Sequence, residues 1–111
     1  MIQITERWSV YRDEYQWVLV EHYEGKDKHG EPKAKTRQTY YPWLDIALRY
    51  AADKDCEGAD SLREVEKAYS RMVSPLRGRD SAYEREIKEL LAEIRRLEKR
   101  LKQAENVRSA A

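Results

Sequence analysis

The side chains of this chain best suited to chemistry with a ligand lie between residues 24 and 43. Lys26, Lys28, Lys33, Lys35 and Arg37 supply cations, His29 sits among them, and Tyr40, Tyr41 and Trp43 follow. Basic groups beside aromatics on a sheet hold nucleic acid by phosphate contact and base stacking. Glu24, Asp27 and Glu31 dilute the patch to a net charge of about +2 over residues 24–41. A solvated edge strand would have the same composition, because lysines also protect an open strand against stray pairing.

Catalytic and metal chemistry have less to work with. His22, His29 and Cys56 are the classical soft or borderline ligands, and they are scattered without CxxC or HxxxH spacing. Asp55 and Glu57 flank Cys56 and would raise a thiol's pKa, opposing nucleophilic use. The four glycines, Gly25, Gly30, Gly58 and Gly78, form no phosphate-binding loop. No catalytic residue, metal or cofactor is therefore expected. A lone cysteine cannot form an internal disulfide, which fits a reducing compartment, the cytoplasm. The N-terminus lacks the apolar core of a signal peptide, and no apolar run approaches the ~20 residues of a membrane span.

The 111 residues suffice for one small domain with an appendage. Charge is high and balanced, with 22 basic against 21 acidic residues. Bulk attraction to nucleic acid or an anionic membrane is thus not indicated, and balanced totals leave room for a local patch. Eight Tyr and three Trp without any Phe point to side chains with an apolar body and a polar handle, the type enriched at interfaces.

The elements that must position these groups begin with a three-stranded antiparallel meander over residues 1–42. Trp8 and Val10 share one face of the first strand. Tyr15–Tyr23 is apolar on both faces and suits a central strand. Gly25–Pro32 reads as a mobile hairpin loop and Lys33–Tyr41 as an edge strand. Pro42 marks the switch to helix, where Leu44, Ala47, Leu48 and Ala51 give one apolar face to lay on the sheet. Ser61-Leu62-Arg63-Glu64 is a capping box. It opens a second helix with Leu62, Val65, Tyr69, Met72 and Val73 on one face, ended by Ser74-Pro75. A second capping box, Ser81–Glu84, opens a long C-terminal helix. The expected fold is α+β, with an α+β domain over residues 1–79 and a coiled-coil-like helix over 80–111.

That helix carries a heptad pattern. Ile87, Ile94 and Leu101 are seven apart, Leu90 and Leu97 follow the first two by three, and Tyr83 and Ala104 extend the second row. Ile at a and Leu at d favour a parallel two-stranded coiled coil. Twenty-six helical residues would span roughly 39 Å, more than a compact 75-residue body. Self-association as a homodimer is the leading expectation. Leu91 widens the stripe, which equally suits packing on the Leu62–Val73 helix of the same chain, and docking on a foreign helix is a third outcome of the same pattern.

Arg12–Glu21, the turn Gly25–Glu31, and Thr39-Tyr40-Tyr41-Pro42 followed by Leu44, Ala47 and Leu48 resemble a group of small accessory proteins carried by bacteriophages and integrated prophages. The resemblance covers about residues 7–50. It implies a non-enzymatic protein that binds a host protein complex in the bacterial cytoplasm, most specifically an inhibitor of a defence system such as a CRISPR–Cas effector. Many such inhibitors are acidic DNA mimics, and the balanced charge here departs from that pattern. Nucleic-acid binding through the basic hairpin and its aromatics is the alternative.

Overall fold

The computed structural model describes residues 1–77 and 81–110. Four strands, β1 (Ile2–Gln3), β2 (Trp8–Arg12), β3 (Trp17–Lys26) and β4 (Pro32–Tyr41), form one antiparallel sheet in chain order. Helices α1 (Leu44–Asp55) and α2 (Leu62–Val73) follow. A 3-10 turn (Ser74–Leu76) leads on to α3 (Ser81–Glu86) and α4 (Lys88–Ala110). The meander therefore has a fourth strand. The two-residue β1 pairs Ile2 with Val10 and Gln3 with Ser9.

Alternation along the strands sorts the sheet into two faces. Trp8, Val10, Trp17 and Leu19 point to the helical side and join the main core. Here α1 lies on β3 and β4, α2 packs on α1, and α4 packs chiefly on α2. Ala47, Ala51 and Ala52 on α1 are fully buried, and their small side chains let the layers approach closely. Ser9, Val18 and Val20 lie on the opposite face and are also buried. They are flanked in register by Tyr11, Tyr40 and Gln38.

The expected loop over Gly25–Pro32 is shorter and better defined. Strand pairing runs on to Lys26 opposite Pro32, leaving five turn residues. The Asp27 carboxylate accepts from the amides of His29 and Glu31 at 2.8 and 3.0 Å, and Gly30 takes the left-handed φ of +80° that the turn requires. The first capping box behaves as read in one direction, with Ser61 Oγ accepting from the Glu64 amide at 3.2 Å. The joint at Gly78, the domain boundary at 79/80 and the side chains of the Ser81–Glu84 cap lie outside the described residues.

The C-terminal segment corrects two expectations. First, the helix is interrupted at Ile87, although amide bonds from Ile87 to Tyr83 and from Leu91 to Ile87 (3.0 and 2.9 Å) carry the chain across. Second, Ile87, Leu90, Ile94 and Leu97 are buried inside their own chain. They belong to the same core cluster as Trp8, Leu48 and Met72, so the stretch from Ile87 to Leu97 contributes to the core of the strands and first two helices. Leu101 is half-buried and Ala104 exposed. Tyr83 packs edge-on against Trp17, with ring centroids 6.3 Å apart. Arg63 at the start of α2 reaches Glu105 near the end of α4 at 2.7 Å, as an antiparallel pair of helices allows. The apolar stripe meets its partner in α2, and atoms buried there cannot also line an interchain seam.

Candidate anion-binding ribbon

Pairing between β2 and β3 stops at Trp8 opposite Glu21, whereas β3 and β4 stay paired to Lys26 and Pro32. Residues 22–36 thus form a two-stranded ribbon standing beyond the third strand. Register assigns its side chains to faces. Lys33 and Lys35, with Arg37 at the ribbon's base, lie opposite Gly25, Tyr23 and Glu21, all on the face that the body turns toward its helices. Glu24, Ala34, Thr36 and Gln38 fall on the other face.

Strand register places one carboxylate among these basic side chains, Glu21, and that group is already engaged. Arg7 donates through Nε and Nη2 to Glu21 Oε2 at 2.9 and 2.7 Å, and through Nη1 to Asp55 Oδ1 at 2.9 Å. Burial alone would lower the Arg7 pKa, but the hydrogen bonds and charges of Glu21 and then Asp55 outweigh it, and the guanidinium is held above its ordinary value. Arg37 is 3.7 Å from the other Glu21 oxygen, and its side chain is 66% exposed, which leaves it open to a ligand. Its guanidinium also lies over the Tyr23 ring, 5.3 Å from the centroid.

At the tip, Lys26, Lys28, His29, Lys33 and Lys35 line an open concavity of about 490 Å³ together with Asp27. Asp27 faces two amide donors of the turn, which offsets part of its charge locally. Among the described residues none of these four lysines forms an ion pair, whereas every ion pair involves an arginine. A second open concavity of about 710 Å³ runs from Arg7 past Tyr23 to Lys33 and Lys35, with Glu6 and Glu24 also on its wall.

The cations expected from the sequence are therefore brought together, but the aromatics are not joined to them. Tyr40 pairs with Val18 on the opposite face. Trp43 lies past the end of β4, at the N-cap of α1, and is 65% exposed. Tyr23 and, further along β4, the half-buried Tyr41 share the basic face, and the two-residue period of β3 was the signal that could have found Tyr23. Tyr83, Ile87, Leu90, Ile94, Leu97 and Leu101, expected as a dimer seam, lie along the α3–α4 segment, away from the ribbon.

Two other groupings have the right atoms for chemistry and the wrong surroundings. Ser9 Oγ and His22 Nε2 are 2.6 Å apart, the pairing of a nucleophile and its base. Ser9 is fully buried, so an electrophile cannot reach it, and the bond satisfies a polar group under the sheet. The Cys56 thiol is pushed up by burial and by the charges of Asp53 and Asp55, so it stays protonated and a poor nucleophile. His22, His29 and Cys56 sit on a strand, in the ribbon turn and after α1. Among the described residues no three His, Cys, Asp or Glu side chains converge as metal ligands, and no helix is long and apolar enough to cross a membrane. Comparison with known proteins gives no match: no family model, curated protein or solved structure is similar to this chain.

Proposed function

We propose that the protein is a non-enzymatic binding module that holds the phosphate backbone of nucleic acid on the basic face of the β3–β4 ribbon. The observation that carries this reading is the segregation of charge by strand alternation. Lys33, Lys35 and Arg37 occupy one face, and Glu21, the carboxylate that strand register places among them, is occupied by Arg7 and flanked by Arg37. The net charge of the whole segment conceals this arrangement. The test is the triple variant K33A/K35A/R37A in a binding titration against salt. Loss of three phosphate contacts should lower the slope of log K against log salt by roughly 2 to 3. An unchanged slope overturns the reading.

A second reading rests on the opposite sheet face, where Tyr11 and Tyr40 flank the buried Val18 and the Tyr40 ring is 55% exposed. Such a surface of tyrosine around an aliphatic centre suits a protein partner. With the resemblance of residues 7–50 to small phage proteins, it supports a mobile-element protein that blocks a host defence complex such as a CRISPR–Cas effector in the bacterial cytoplasm. It needs no second copy of the chain. A Y11A/Y40A variant that keeps nucleic-acid binding and loses inhibition of a defence complex would support it, and full inhibition by that variant would reject it.

A further inference from the structure

We infer that the ribbon's ligand is a nucleic-acid duplex, gripped along the phosphates of one strand and recognised by shape and charge. This narrows the nucleic-acid reading above and rests on it. Alternate residues of an extended strand are about 6.8 Å apart. The backbone therefore sets Lys33, Lys35 and Arg37 along one line, at a repeat comparable to that of successive phosphates along one strand of a duplex. Gly25 keeps the row low: a Cβ there would lie 2.7 Å from Lys35 Cδ, so the missing side chain lets the lysine stem cross the ribbon.

Single strands are held differently, by backbone contacts together with aromatic platforms on which successive bases stack. The basic face offers little stacking surface. Arg37 lies over the Tyr23 ring, which is 38% exposed, Tyr41 on the same face is half-buried against the core, and Tyr40 is on the other face. A row of cations with so little stacking surface beside it matches a ligand whose bases are already stacked on each other. The free ribbon also fits in size. Five residues per strand, or roughly 17 Å, stand beyond Glu21, and a two-stranded ribbon is an element that the major groove, about 12 Å wide, admits. Laid along the groove, the row follows one phosphate strand while Lys26 and Lys28 at the tip approach the other.

Fluorescence anisotropy with the intact protein tests this. The probes are a labelled duplex of about 20 base pairs, a duplex of scrambled sequence, and each single strand, titrated between about 50 and 200 mM salt. Both duplexes should bind alike and roughly tenfold more tightly than the single strands, and the K33A/K35A/R37A variant should lose that preference. Single strands binding as tightly as the duplex, with the same loss in the variant, would overturn the duplex assignment and leave the nucleic-acid reading standing. A strong sequence preference would overturn recognition by shape. Failure of every probe to bind would remove both readings.

Discussion

Asp55 accepts two donors at once, the partly exposed Arg7 guanidinium at 2.9 Å and the buried Trp8 indole N–H at 2.8 Å. Trp8 is 1% exposed, so its N–H has no water to turn to. Asp55→Ala would strand that donor and is expected to cost about 2 kcal/mol. For a chain of this size that corresponds to a fall of roughly 8 °C in Tm, measurable by thermal unfolding. Tyr69 has a different signature. Burial first, then its 2.5 Å hydrogen bond to Asp53 and that carboxylate's charge, raise its pKa well above the ordinary value of 10.0. The unfolded chain releases this proton first as pH rises past 10. The contribution is therefore fully present below that pH and is lost above it. Urea unfolding at about pH 8 and about pH 11 should show a larger loss of stability in the unchanged protein than in Tyr69→Phe. Equal losses would mean the phenol titrates normally. Of these pairings, the effect of Asp55 on the Cys56 thiol was legible in the sequence, because the residues are adjacent. The bonds Trp8–Asp55 and Ser9–His22 join residues distant along the chain, and only the sheet register and helix placement bring them together.

A hydrophobic stripe specifies a face and leaves its partner open, and α4 shows the consequence. The a/d spacing of Ile87, Leu90, Ile94 and Leu97 is real, yet the groove it fills belongs to α2 and not to a second chain. The half-buried Leu91 widened the stripe beyond a strict two-stranded seam, and it was the feature that favoured packing within one chain. Ile94→Asp separates the two arrangements. A charge at this 3% exposed position should destabilise the fold by about 4 kcal/mol or more, a large part of a small domain's stability. Circular dichroism should then show a collapsed melting transition. A variant that keeps its melting temperature and only dissociates would return the stripe to an interchain role. The strands were easier to read where alternation ran long, as in β3. Ile2–Gln3 was missed because two residues carry no period, and the ribbon turn was drawn too long because the Asp27 cap lets pairing continue to Lys26.

At the scale of the molecule, charge and shape are both uneven in ways that totals hide. The chain carries a net +1, yet its ribbon gathers Lys33, Lys35 and Arg37 on one face, with Glu24 on the other. Its radius of gyration is 16.5 Å, against about 13 Å for a compact globule of this length. The excess reflects a long axis of 58 Å in a body whose ribbon reaches beyond the third strand. This elongation does not make the C-terminal helix dispensable. Ile87, Leu90, Ile94 and Leu97 close one core with Met72, Val73 and Leu76, and removing them would forfeit their own burial and expose the other three. At about 1.5 to 3 kcal/mol for each large apolar side chain returned to water, the loss exceeds the whole stability of a domain this small. A chain ending at Arg77 should therefore show no cooperative unfolding transition, while the intact chain gives a monomer mass by light scattering. A folded 77-residue fragment beside a dimeric full-length protein would reverse both expectations, because residues 80–111 would then be an assembly device attached to a self-sufficient domain.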